Sequence, residues 1–574
     1  MRWLSNPRVH LVILLAVYAI AAYAVQDHCS ELLTSDGECY LRMAAYYAHG
    51  DFRHALFGHW SPLGAWMAVP LVAMGLEPRY AFRLMIGLWG ALAVAGSWRL
   101  AGRLGLGSWL RAAATAAAAL LALEFSVDHR VDLLLAAALL FYLDAAMAER
   151  LLRSRRRALL AGVLGGVAYL AKLYALPFFA AHYTLTVLVR GWVETSSRQS
   201  AVASRQGKDD DPGLQIADLG LKSEIGNRKS RMLRRIAFTW AMGMAGFALV
   251  ATPWVTVLSA KYGRLTFGTA AATAYHLVGP GSGDARTEAI TGLQRPPEGA
   301  YNVWQDATRE PLRPEGGASP SLAEPLRVAG RNSVKILGHL ARLDEFRLGL
   351  IALAVTPLAL VATRREREKA FRYAALLLAV GLFCGGYAFI QAENERYFWF
   401  AFFVLTVLAF HFAGGVGRLV PGGRQRRLAV AVVAVAALVS FGYHPVRSVV
   451  ALLEGPEPGR GHRQVAEQLA EWGVKGPLAS IGPRGWWDGL HTAYYLDVKY
   501  AGTPRATEPR GIAAEMREAG ATVLLVWGDQ ALVKALFSDP ADFEPLGAVT
   551  AELLPSLQED LVILRVRAPS RSVR

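Results

Sequence analysis

Apolar runs of roughly 17 to 25 residues, long enough to cross a bilayer, alternate with short Arg-rich stretches as far as about residue 445, where the rhythm stops. The candidate spans are Leu11–Val25, Leu84–Ala101, Leu110–Phe125, Asp132–Ala148, Ala158–Ala171, Leu176–Val189, Ile236–Ser259, Arg347–Ala362, Ala374–Ile390, Phe398–Phe412 and Leu428–Gly442. One more run, Leu63–Leu76, is short for a span and is bounded by Pro62 and Pro78. The pattern predicts an all-α polytopic membrane domain of about eleven transmembrane helices over 1–445, followed by a soluble α/β domain over 446–574. In that second part β-prone runs stand at Leu478–Ile481, Thr522–Trp527 and Leu561–Val566, with helical stretches at Arg463–Trp472 and Gly511–Ala519.

Charge decides the topology. If Leu63–Leu76 does not cross, the clusters around Arg99, Arg103 and Arg111, Arg150–Arg157, Arg190–Arg235, Arg364–Lys369 and Arg418–Arg427 all share the side of the N-terminus. That is the Lys/Arg bias of cytoplasmic loops, and a crossing would reverse it. The run is therefore expected to lie along or re-enter the outer face, making 26–83 a first outside loop with interfacial helices and 261–345 a second, long one. The second carries Tyr275, His276, Tyr301 and Trp304, residues suited to carbohydrate. Ser196–Lys229, polar and without apolar period, is expected to be a mobile cytoplasmic loop. Arg2 and Arg8 before an apolar run, with Ala22-Tyr23-Ala24 after it, resemble a signal peptide, but an uncleaved span is favoured.

Composition agrees with a membrane protein: 53% of the 574 residues are hydrophobic and mean hydropathy is +0.27. The net charge of +15 is accounted for by the cytoplasmic clusters, and no nucleic-acid partner is expected. Of three cysteines, Cys29 and Cys39 bracket an acidic turn in the first outside loop, where an oxidising compartment would permit a disulfide.

That turn, Ser35-Asp36-Gly37-Glu38, opens an amphipathic stretch in which Tyr40, Met43, Ala44 and Tyr47 recur at helical spacing. Ser35 and Glu38 also stand at the spacing of a capping box. Further ionisable groups at outside span ends are Asp128-His129-Arg130-Val131-Asp132, Lys172 and Glu393-Asn394-Glu395-Arg396. Ionisable side chains at membrane level are costly, so several at one face suggest a shared polar site. Carboxylates at Asp36, Glu38 and Asp132 suit deprotonation of a hydroxyl, and cations at Lys172, Arg396 and Arg130 suit a departing phosphate. The same carboxylates leave room for a divalent metal ion; no other cofactor is indicated.

In order along the chain, the acidic first outside loop, His59-Trp60-Ser61-Pro62-Leu63-Gly64-Ala65-Trp66, the Asp-Leu-Leu-Leu start at Asp132, the Ala171-Lys172 turn and Glu395-Arg396-Tyr397 resemble the GT-C superfamily of membrane glycosyltransferases. The protein O-mannosyltransferases and the aminoarabinose transferases of lipid A are nearest in look. Gly37 separates Asp36 from Glu38 where such enzymes often have adjacent acids, and Ser61-Pro62 stands where a double proline is usual. The resemblance implies an inverting hexosyl or pentosyl transfer from a polyprenyl-phosphate donor to a lipid, glycan or protein acceptor, at the extracytoplasmic face of a bacterial inner membrane. It implies Asp36 as base, Asp132 with His59 positioning sugar or acceptor, and substrate contacts from Trp60, Glu395 and Tyr397. A polysaccharide polymerase or ligase, and a lipid-linked sugar transporter or flippase, are the alternatives. The chain has no internal repeat of the kind transporters tend to show.

Overall fold

The computed structural model describes residues 6–206, 217–278, 292–296, 298–302, 305, 323–390, 392–538, 541–550 and 560–567. It is mostly helical, with a five-stranded sheet near the C-terminus. Seven helices are long and apolar enough to cross a bilayer: α1 (Pro7–His28), α5 (Pro78–Arg103), α6 (Ser108–Phe125), the Ser230–Tyr262 part of α10 (Ala217–Tyr262), α14 (Arg367–Ala388), α15 (Trp399–Val416) with the turn before it, and α16 (Gly423–Glu454). Eleven were expected. The remaining four expected spans are also helices: α7 (Asp132–Ala146), α8 (Arg155–Ala171), α9 (Ala175–Gln206) and α13 (Leu348–Ala362). Their length and composition do not by themselves make them spans.

α7 is apolar on every side because it is a core helix: nearly all of its 15 residues are buried, and it packs on α5, α8 and α15. α8 and α10 approach closely through glycines, since a side chain at Gly162 would strike the backbone of Gly243. α8 ends at Ala171 and Lys172 is extended, with φ −158° and ψ 130°. Pro177 explains why the helix cannot run on. Inside a continuous helix its ring would meet the carbonyl four residues back, whereas in the first turn of α9 its missing N–H costs nothing.

Within 26–83, α2 (Ser35–Ala48) and α3 (Phe52–Ala55) precede α4 (Leu63–Ala73). α4 has 11 residues, about 16 Å of rise, against a hydrocarbon thickness of about 30 Å. Within 261–345 come α11 (Ala270–Val278) and α12 (Ala323–Arg342). Tyr275 and His276 fall within α11, while Trp304 lies outside the described residues. Helix extends into the Ser196–Lys229 segment from both ends, to Gln206 and from Ala217, in place of the expected loop; 207–216 lie outside the described residues.

Beyond α16, which continues through residue 445 to Glu454, come α17 (Arg460–Glu471), β1 (Leu478–Ile481), α18 (Gly485–Leu496), β2 (Tyr500–Gly502), α19 (Pro509–Ala519), β3 (Val523–Trp527), α20 (Gln530–Ser538), β4 (Phe543–Val549) and β5 (Leu561–Val566). The sheet order is β2-β1-β3-β5-β4, with β2, β1 and β3 parallel and β5 antiparallel to both β3 and β4. The β2 edge is not left open. Gly292 and Gln294 donate backbone hydrogen bonds to Thr503 and Ala501, and Tyr500 donates to Tyr301, so the segment within 261–345 is stitched to the C-terminal domain.

Cys29 and Cys39 do not form the expected disulfide; both are free and buried. They belong to different packing groups. Cys29 sits with Val25 and Val449, and Cys39 lies in the main core with its Sγ 3.5 Å from the Ser35 carbonyl.

Candidate active site

The N-cap of α2 is Thr34, one residue before the expected capping box; its hydroxyl accepts from the Gly37 N–H at 3.0 Å. Gly37 is required by close approach, because a Cβ there would strike the His129 side chain. This start sets which residues share a face. Asp36 and Tyr40, four apart, line a cavity of about 770 Å³, while Glu38 and Arg42, also four apart, face the C-terminal domain.

Further stretches bring polar groups to that cavity, among them His59, Trp60 and Ser61 before α4, Arg130 and Asp132 at the head of α7, Lys172 at the α8–α9 break, Arg396 and Tyr397 before α15, and Trp486 and Trp487 at the head of α18. Arg396 Nη1 donates to Asp36 Oδ2 at 2.5 Å, and Lys172 Nζ donates to Asp132 Oδ1 at 2.5 Å. Arg130 pairs with Asp128 at 3.2 Å. Lys172 Nζ also lies 4.6 Å, and the Arg396 guanidinium 5.1 Å, from the centre of the Tyr397 ring. Tyr397 stacks on Tyr387, which stacks on Tyr174 with ring centres 3.9 Å apart. Burial opposes ionisation of Asp36, but Arg396, Arg130 and Lys172 outweigh it and hold the carboxyl below the usual carboxylate range.

The carboxylates and cations are in direct contact rather than held apart by the width of a sugar ring. In an enclosed cavity an unpaired charge is costly, so opposite charges close on one another. Of the expected site residues, Asp36, Asp132, Lys172, Arg396, Arg130, His59, Trp60 and Tyr397 line this cavity. Glu38 and Glu395 do not. Glu38 is buried against the C-terminal domain, where its Oε1 lies 2.5 Å from His491 Nδ1, and Glu395 faces Arg342 at 3.7 Å.

Away from the charges the lining turns apolar. Leu173, Pro177, Phe178 and Ala181 of the α9 side face Gly381, Leu382, Gly385 and Phe389 of the α14 side. Side chains added at Gly381 or Gly385 would meet nothing within 4 Å, so these glycines leave a groove. Gly381 lies about 10 Å of helix rise before the end of α14. Sequence reasoning missed Trp486 and Trp487, whose signal was an adjacent Trp pair in an otherwise soluble domain, and it missed Tyr174 and Tyr387, which carry no local mark.

Among the described residues no three His, Cys, Asp or Glu side chains gather as a metal set. Asp36 and Asp132 each contact an Arg or Lys, and a divalent ion at this site would compete with those cations.

No family model matches the sequence, and no curated protein matches it. Solved structures do. ArnT from Cupriavidus metallidurans bound to undecaprenyl phosphate aligns over 96% of this chain and 97% of that one, at 16% identity and a TM-score of 0.54. The same protein in the apo state aligns over 98% of each chain, at 14% identity and a TM-score of 0.52. The likeness spans both domains and gives the fold: this chain shares the architecture of those two structures, with seven helices long and apolar enough to cross a bilayer.

Proposed function

We propose that this protein is an inverting glycosyltransferase that moves a sugar from a polyprenyl-phosphate carrier to a hydroxyl of a lipid, glycan or protein acceptor at the extracytoplasmic face of a bacterial inner membrane. The observation that carries the reading is one cavity with two characters: carboxylates and cations at its head, and the apolar groove between α9 and α14 leading away from them. A phosphate on a long apolar chain matches both halves, and burying that chain in the groove removes apolar surface from water. The ArnT structure with undecaprenyl phosphate supports the same class of carrier.

In this mechanism Asp36 takes the proton of the acceptor hydroxyl as its oxygen attacks the anomeric carbon. The bond from that carbon to the phosphate oxygen breaks, its electron pair stays on the oxygen, and polyprenyl phosphate leaves. Arg396 and Lys172 neutralise the charge that grows on the departing phosphate, with Arg130 behind them. Arg396 can serve both partners: Nη1 is on Asp36, Nη2 makes only a 3.3 Å contact with Tyr397 Oη, and Nε has no hydrogen-bond partner among the described residues. Asp132, fixed by Lys172, and His59 stand where sugar hydroxyls would lie. Trp486 and Trp487 close the side nearest the C-terminal domain.

The test is transfer by the purified protein in proteoliposomes, with synthetic polyprenyl-phosphate hexoses and pentoses as donors. The reading expects release of polyprenyl phosphate only when acceptor is present, and a product of inverted anomeric configuration. Retention of configuration, or transfer from nucleotide sugars alone, would overturn it.

A further inference from the structure

Two residues beyond Asp36, on the opposite face of α2, Glu38 is buried with 3% of its surface exposed, and its partner is a residue 453 positions away in the C-terminal domain. His491 Nδ1 and Glu38 Oε1 are 2.5 Å apart. One turn further on, Arg42 Nη1 donates to Asp497 Oδ1 at 2.8 Å, its guanidinium stacks on Tyr301 at 3.4 Å, and it lies 4.7 Å from the centre of the Tyr494 ring. His491, Tyr494 and Asp497 recur along α18 and just past it, so α2 and α18 are joined along a seam. The seam is backed by His462, whose ring centre is 5.4 Å from that of His491 and whose Nε2 lies 3.0 Å from Asp488 Oδ1.

Both helices turn another face to the cavity. α2 presents Asp36 and Tyr40; α18 presents Trp486 and Trp487. A buried carboxyl with one side-chain partner has little freedom, because a shift of α2 would leave both Glu38 and His491 buried and unsatisfied. We infer that Glu38 and His491 are positioning residues: through them the C-terminal domain sets the place of the Asp36 carboxylate relative to the acceptor side of the cavity. This rests on the glycosyltransferase reading. The C-terminal domain is then a working part of the active site rather than a cover, and Glu38 acts without touching substrate.

Glu38→Asp shortens the reach by one methylene while keeping the chemistry, and Glu38→Gln keeps the reach while removing the titratable group. Each is made in the full-length protein and compared with wild type and Asp36→Asn for kcat, acceptor KM, binding of undecaprenyl phosphate, and thermal unfolding. Misplacing a reacting group by about 1 Å costs on the order of 100-fold. The expected result is a fall in kcat of about that size for Glu38→Asp, unchanged binding of undecaprenyl phosphate, and activity near wild type for Glu38→Gln. His491→Ala should match Glu38→Asp, and combining the two should add little, since both break one link. Wild-type kcat in Glu38→Asp, additive losses in the double variant, or loss of donor binding in step with activity would each overturn the inference. Should Glu38→Asp not fold, the contrast of Glu38→Gln with His491→Ala decides, and equal kcat in those two counts against positioning. An active Asp36→Asn protein would instead remove Asp36 as the base, and absence of transfer by the wild type would sink the glycosyltransferase reading, so the failures are distinguishable.

Discussion

Arg396 donates from Nη1 to Asp36 Oδ2 at 2.5 Å across 360 residues of chain, joining the turn before α15 to the first turn of α2. The contact brings the group proposed as base and the group proposed to receive the leaving phosphate into one ion pair. With Lys172 on Asp132 beside it, the cavity head holds two ion pairs, each of which, in the proposed mechanism, would share its cation with an incoming phosphate. Substrate binding and charge rearrangement are therefore coupled at this site.

Replacing Arg396 with Lys keeps the charge but loses the planar fork that reaches Asp36 and a phosphate together. Hydrogen bonds to charged groups contribute about 1.5–3 kcal/mol, so kcat/KM for the donor should fall on the order of 10- to 100-fold. Steady-state kinetics at varied donor concentration checks this; a change below about twofold would mean that Arg396 supplies charge alone.

Lys172→Met should destabilise the protein more than Asp132→Asn/Lys172→Met. Asp132 is 4% exposed, and removing its partner leaves a buried carboxylate unpaired. Breaking such a pair from one side costs about 3–5 kcal/mol, whereas neutralising both sides costs less. Thermal unfolding of the purified proteins in one detergent measures the difference.

Gly385→Leu should narrow the groove, because a Cβ at Gly385 meets nothing within 4 Å. The expected outcome is a thermal midpoint like that of wild type with a raised KM for long polyprenyl donors and a smaller effect on short-chain ones. Equal effects at both chain lengths would place the lipid elsewhere.

Stability should depend on pH through the seam between α2 and α18. Burial, only partly offset by Arg42 and His462, pushes the Glu38 carboxyl well above its ordinary range; burial, with Asp488 and Arg484 acting in opposite senses, pushes His491 down to about 4. The contribution of Glu38, whose folded value is raised, is fully present below its unfolded value and is lost as pH rises through the folded one. That of His491, whose folded value is lowered, is present above about 6.5 and is lost as pH falls towards about 4. Melting curves from pH 5.5 to 8.5 should show the alkaline decline in wild type and a weaker one in Glu38→Gln, whose amide cannot titrate.

Much of the site was legible before any coordinates. Lys172 stands between the apolar runs Ala158–Ala171 and Leu176–Val189, and Asp132 and Arg396 stand at the borders of apolar runs, where a charge is conspicuous. Membrane patterning fixed their level, and the cavity unites them. Pairing was not legible. Which carboxylate meets which cation depends on how α2, α7 and α15 pack, and no local period records that. Glu38 was misassigned for a related reason: Ser35 and Glu38 have the spacing of a cap, but Thr34 takes that role, and the remaining partner for Glu38 lies in another domain. β2 and β4 escaped notice because a three-residue strand and one containing Pro545 and Gly547 carry little β signal. Span count was the least secure expectation, since α7 is apolar through burial in protein, and composition alone does not separate that from burial in lipid.

The most direct test measures lipid-linked sugars by mass spectrometry in the source organism lacking this protein, complemented with wild type or with Asp36→Asn. A general base contributes about 10²- to 10⁴-fold, so a polyprenyl-phosphate sugar should accumulate in the deletion strain and in the Asp36→Asn strain, and return to its basal level with wild type. No accumulated donor in the deletion strain, or full restoration by Asp36→Asn, would contradict transfer from a polyprenyl-phosphate sugar with Asp36 as base.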